Sequence, residues 1–172
     1  MILSFDTETD GLLQYGRLFD LKAQPHIVQF GMVLYDDDGG VKAQFDTLIK
    51  PTEDWTSIPK QATDVHGITY DDCVKYGISI KNALAIFNQY VKLKPLLIGH
   101  NIKGFDLPLL KVECDRLDVP YVAKGLRRFD TMHATIKYCN IPKAKGNGPK
   151  MPKLIELYNK VFGKDFDDCY PK

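Results

Sequence analysis

The sequence is poor in the residues that build metal fingers and disulfide frameworks. Its four cysteines, Cys73, Cys114, Cys139 and Cys169, stand far apart, with no C-x-x-C pair and no histidine at finger spacing. That argues against a zinc ribbon or a disulfide scaffold and leaves reduced thiols, the expectation for a cytoplasmic protein. No apolar run nears the roughly 20 residues that span a bilayer, so no membrane partner is expected. Met1 leads directly into an apolar segment, without the basic and apolar regions of a secretory leader. Internal repeats, linkers and low-complexity tracts are missing too. The cluster Asp36-Asp37-Asp38-Gly39-Gly40 lacks EF-hand spacing and its closing glutamate, which makes it a hairpin tip rather than a calcium loop.

An excess of charge is also lacking: 23 basic and 22 acidic side chains give +1, which by itself names no partner. The distribution is less even. Residues 1–100 carry nine basic and thirteen acidic side chains, and residues 101–172 carry fourteen and nine. An acidic front and a basic back suit a cation site beside an anionic ligand, although chance asymmetry explains the counts equally well. With 172 residues, 44% of them hydrophobic, the chain is long enough to bury a core, and one domain over 1–172 is expected.

What is present is patterned. Residues 2–6 read as a short buried strand, and residues 26–51 as a hairpin whose core side is set by the alternation of Val28, Phe30, Met32 and Leu34. Short helical turns are expected over residues 58–73. After Ser79, a good N-cap, Ile80, Ala83, Leu84, Phe87 and Val91 follow the 3.6-residue period of an amphipathic helix. A strand at "PLLIGH" and a helix from "GFDLPLL", with Leu110, Cys114 and Leu117 on one face, come next. "RRFDTMHATIKYC" predicts a brief strand breaking into a helix capped by Asp130 or Thr131, and capping explains both residues without a role in a site. A Gly/Pro/Lys loop and a last helix ended by Gly163 follow. The order implies an α/β fold, a mixed sheet with an antiparallel hairpin edge and a parallel centre, flanked by helices.

The stretch "ILSFDTETDGLL" ends an apolar run with acids at every second position. Residues i and i+2 of a strand face the same way, so Asp6 and Glu8 project together if the extended geometry lasts. The pair reads either as an acidic turn or as half of a metal site. In such sheets ligands gather where central strands end. The strand "LLIGH" delivers Asp106 to the mouth of the next helix, and if the two strands are neighbours three carboxylates share one rim. Hard oxygen donors without cysteine favour Mg²⁺ or Mn²⁺ over zinc.

"SFDTETDGL", "IPKQATDVHGIT", "LIGHNIKGFDLPLL" and "PKLIELYNKVFGKDFDD" together resemble the successive motifs of DnaQ-like DEDD 3′–5′ exonucleases. The resemblance runs over about residues 2–168 and implies a ribonuclease H-like fold with two divalent ions. By it, Asp6 would bridge both ions, Glu8 would bind the first, and Asp106 would hold the second, partly through water. Thr7, Thr9, Gly11 and Leu12 match the segment that cradles a 3′-terminal nucleotide, and His66 matches a position close to it. His100, Asn101 and Phe105 match the second motif. The implied activity is removal of nucleotides from the 3′ end of single-stranded DNA, with RNA also compatible. Lys143, Lys145, Lys150 and Lys153 suit the phosphates of such a strand, or else form a solvated loop.

One motif departs from the pattern. The family's third motif, His-x-x-x-x-Asp, has Tyr170 at the histidine's place, followed by Pro171 and no aspartate before Lys172. A neutral phenol, with a pKa of about 10, is a poor base at neutral pH. The expectation is therefore a domain short of the family's last helix, weakened in catalysis. A sheet face left bare would invite a protein partner or a second copy. The rival expectation is an exonuclease-like module that binds nucleic acid or protein without cutting.

Overall fold

Three strand-forming runs build one half of the sheet: β1 (Ile2–Thr9), β2 (Ile27–Tyr35) and β3 (Val41–Leu48). Two shorter ones, β4 (Leu96–Gly99) and β5 (Arg128–Asp130), complete it in the computed structural model, which describes residues 1–163. The strand order is β3-β2-β1-β4-β5. β1 is antiparallel to β2 and parallel to β4, β2 is antiparallel to β3, and β4 is parallel to β5. This is the expected hairpin edge joined to parallel strands. The first strand outruns its expected end at residue 6: Glu8 pairs with Gln29, and the register shifts only before Thr9. Asp6 and Glu8 therefore belong to regular strand and share a face.

The opposite face carries Leu3 and Phe5 into the core. There the rings of Phe5, Phe30 and Phe87 meet at centroid distances of 5.4–6.2 Å. Phe87 comes from a helix capped as its sequence indicates, Ser79 Oγ accepting the Asn82 N–H at 3.2 Å. Ile80, Ala83, Leu84, Phe87 and Val91 are all buried. We number the helices in chain order: α1 (Lys60–His66), α2 (Tyr70–Tyr76), α3 (Ile80–Val91), α4 (Asp106–Arg116), α5 (Thr131–Ala134), α6 (Ile136–Cys139) and α7 (Leu154–Phe162).

Two elements differ from expectation. α4 buries Leu107, Leu109, Val112 and Glu113 besides Leu110 and Cys114, and the 3-10 turn Leu21–Ala23 packs against it. The single helix expected after Asp130 is two short ones. It breaks at Thr135 (φ −107, ψ 7), whose hydroxyl bonds back to the Thr131 carbonyl at 2.7 Å. The departure read at Phe166–Pro171 lies outside the described residues. On the face shared by Asp6 and Glu8, Phe129 is 45% exposed and stands with half-buried Ile2, Leu96 and Ile98, whereas Gln29 and Asp46 make the other half polar. No helix among the described residues is long and apolar enough to cross a membrane.

Gly99 shows how closely β1 and β4 approach. A Cβ there would stand 2.3 Å from Ile102 Cγ2 and 2.9 Å from the Phe5 carbonyl oxygen. Gly99→Ala is expected to destabilise the fold by about 2 kcal/mol, measured by urea denaturation, because backbone has to give way.

Candidate active site

Parallel pairing brings the C-terminal ends of β1 and β4 to one rim. β1 ends in Asp6, Thr7, Glu8 and Thr9; β4 ends in Gly99 and passes through residues 100–105 into α4, which opens with Asp106. The connection is tightly built. Asn101 is left-handed (φ 67), a conformation asparagine tolerates, and its carbonyl accepts the N–H groups of Gly104 and Phe105 at 2.9 Å. The N–H groups of Asn101 and Lys103 donate to the two oxygens of Asp130 at 3.1 and 3.0 Å. Asp130 also caps α5, as its sequence predicts, accepting from Met132 and His133. Burial raises its pKa, but hydrogen bonds from Lys103, His133 and Asn101 outweigh that and hold it below the usual carboxylate range.

Thr7 ties the two rims together. Its N–H and its hydroxyl both donate to Asp106 Oδ1, at 3.0 and 2.7 Å. Asp106 is almost fully buried, and its pKa rises to about 7: desolvation dominates, the Thr7 hydroxyl pulls down, and the negative charge of Asp6 pushes up. Asp6 reaches solvent, yet desolvation by the surrounding protein raises it as well, against the Thr7 N–H and the His100 ring. Glu8 is raised by burial and then by Asp6, with His66 opposing. The charge of Asp6 thus acts on both other acids, and the three form one electrostatic cluster. Among the described residues, no three acidic, histidine or cysteine side chains stand close enough to hold an ion as they are. Asp106 is instead turned to Thr7. The donor set nonetheless fits a hard divalent cation: three coupled carboxylates, with no lysine or arginine among the groups that offset them.

Beside the cluster lies a pocket of about 560 Å³. Its walls include seven of the residues singled out in the sequence: Thr7, Glu8, Thr9, Gly11, Leu12, His66 and Phe105. α1 adds Ala62 and Val65, which periodicity alone did not mark. His66 Nδ1 accepts the Ile68 N–H at 3.0 Å, so the neutral ring carries its proton on Nε2, which is buried without a hydrogen-bond partner. His100 and Asn101 stand outside this wall. His100 Nε2 lies 3.0 Å from the Pro152 carbonyl and Nδ1 3.0 Å from the Thr131 hydroxyl, so the ring pins residues 140–153 to the end of β4. In that loop Lys143, Lys145 and Lys153 are exposed, and Lys150 pairs with Glu156 at 2.6 Å. A second hollow, about 320 Å³, opens on the face of Asp6 and Glu8, where Gly31 leaves room and Asp46 leans over it. The one hint of it in the sequence was a glycine inside a strand.

A family model described as exonuclease matches residues 3–164. The chain belongs to this exonuclease family. No curated protein matches it. Among solved structures, E. coli exonuclease I in complex with a 5cy-dT13 oligonucleotide superposes with a TM-score of 0.74 at 21% identity, covering 96% of this chain and 36% of that one. A further structure of exonuclease I gives 0.70 at 18% identity, covering 99% and 37%. An ExoI/SSB-Ct complex gives 0.69 at 20%, covering 97% and 37%. The chain thus spans little more than a third of exonuclease I and shares its ribonuclease H-like fold.

In this exonuclease domain the raised carboxyl of Asp106 has a consequence for stability. A group whose folded pKa is raised stabilises the fold fully below its unfolded value, near 4, and that contribution fades as pH climbs to about 7. Without metal, Asp106→Asn is expected to remove this decline and to make the protein more stable at pH 8, by about 2 kcal/mol. Thermal melts in chelator from pH 5 to 8 check it; a variant as pH-sensitive as the parent would refute the assignment.

Proposed function

We propose that this domain is a divalent-metal-dependent 3′–5′ exonuclease acting on single-stranded DNA. The observation that carries the reading is the junction of Asp6, Glu8 and Asp106 at adjoining strand ends, directly beside a pocket walled by Thr7, Thr9, Gly11, Leu12, His66 and Phe105. The resemblance in motifs and the family membership support it. So does the oligonucleotide in the exonuclease I structure that shares the fold.

The residues divide the work by chemistry. Asp6, Glu8 and Asp106 would hold Mg²⁺ or Mn²⁺, which supplies Lewis-acid polarisation of the scissile phosphate and an acidified water. Leu12 and Phe105 offer apolar surface to the terminal base, while the backbone around Thr9 and Gly11 approaches its sugar. The buried Nε2–H of His66, on the Glu8 side of the pocket, is a donor suited to an anionic oxygen. Thr7 holds Asp106 at this junction, where it would serve as a ligand. Lys143, Lys145 and Lys153 add positive charge along the outgoing strand.

The test uses 5′-labelled strands of DNA and RNA with Mg²⁺ or Mn²⁺. A ladder shortening from the 3′ end is expected, faster on DNA, abolished by chelator and reduced at least about 100-fold in Asp6→Ala. Strands that stay bound and intact at high protein concentration would instead establish a binding module. His66→Ala is expected to raise KM or lower kcat by about tenfold while leaving metal binding, measured by calorimetry, unchanged.

A further inference from the structure

Residues 11–25 leave the sheet after β1 and return at β2, and their two ends are locked together. The Asp10 N–H donates to the His26 carbonyl at 3.2 Å, and the His26 N–H donates to Asp10 Oδ1 at 2.8 Å. Inside the loop, buried Gln24 acts as a strut. Its Oε1 accepts the Gln14 N–H at 3.0 Å, and its Nε2 donates to the Arg17 carbonyl at 2.7 Å. From α4, Arg116 donates to the carbonyls of Leu21, Gln24 and Pro25 at 2.6–2.9 Å, with Glu113 beside it. Such fastening gives the loop one shape.

Its outward side is unlike a solvated loop. Leu12 is 77% exposed, Tyr15 58%, and Phe19 stands fully in solvent. These side chains contribute little to the core, so packing does not explain a rigid loop that displays them. Their position is informative. The Tyr15 hydroxyl donates to the carbonyl of Gly104, the residue before Phe105, and Phe105 and Leu12 both wall the pocket. Exposed apolar side chains therefore stand at the lip of the pocket, in Leu12, and further along the same loop, in Tyr15 and Phe19. Arg17, Lys22 and Lys103 lie on the two segments joined there, against Asp20 alone, which is paired with Arg17. Exposed aromatic faces with a net positive charge match unpaired nucleobases on a phosphate backbone.

We propose that the outward side of residues 12–19 is a second nucleotide-binding surface, on which Tyr15 and Phe19 stack the unpaired bases that trail behind the nucleotide in the pocket. The inference rests on the reading of that pocket as the seat of the 3′ end. It predicts that this domain grips a long strand much more firmly than a short one, through contacts remote from the acids.

Binding of a dinucleotide and of a dodecanucleotide, with Ca²⁺ replacing Mg²⁺, separates the two surfaces. Phe19→Ala removes a ring with no packing to lose, and Tyr15→Phe keeps the ring while removing its bond to Gly104. Phe19→Ala is expected to weaken the dodecanucleotide about tenfold and leave the dinucleotide within twofold. Tyr15→Phe, which frees the ring from Gly104 but keeps it, is expected to weaken the dodecanucleotide less than Tyr15→Ala, which should lose affinity like Phe19→Ala. A 2-aminopurine placed three or four positions from the 3′ end should be quenched on the parent protein and not on Phe19→Ala. A parent that shortens the dodecanucleotide in Mg²⁺, with both alanine variants binding it normally in Ca²⁺, overturns the surface and spares the pocket. A parent that binds neither oligomer overturns both. A dimer that Phe19→Ala dissociates, with strand binding unchanged, would assign the patch to a second copy and also overturn the proposal.

Discussion

Two hydrogen bonds from Thr7 to one oxygen of Asp106 join residues 99 positions apart in the chain. That tie is what joins the third acid to the other two. It holds the end of the central strand against the start of α4, and so brings Asp106 within the field of Asp6, which already acts on Glu8 from the same strand face. Thr7 can do this because it faces the core side, while Asp6 and Glu8 face the other. Alternation along one strand thus separates the residue that braces the site from the residues that would carry its chemistry.

The acids themselves work against the fold. Desolvation raises all three, the charge of Asp6 raises Glu8 and Asp106 further, and the groups that offset this are threonine, imidazole and backbone N–H rather than cations. A structure optimised only for stability would neutralise such a cluster or bury something apolar in its place. Local rules broken at one place, amid a core that obeys them, mark a functional site. The supports lie one layer back. Asp130 orders the 101–103 turn, Arg116 and Gln24 order the loop after β1, and His100 anchors the lysine-bearing loop beside the β4 end.

Legibility followed contact range. The face of α3, its serine cap and the β2–β3 hairpin were readable residue by residue, because period, cap and turn are local properties. The candidate pocket was readable too, through motifs whose spacing stands in for distance. The second function of Asp130 was not, since a cap and a brace look identical in a string of letters. Nor was the break at Thr135, nor the packing of residues 21–25 on α4, where Arg116 donates to the Leu21 carbonyl. Tyr15 and Phe19 looked ordinary until their neighbours were known.

The sequence by itself determined the α/β class, the order of strands and helices, and which acids share a strand face, because side-chain period and capping act over a few residues. Only the tertiary structure decided that Asp106 meets Thr7, that His66 and Phe105 wall the pocket of Glu8, and that an aromatic loop borders it. Those outcomes depend on which strands become neighbours, and that is settled by burial of the whole core rather than by any one segment.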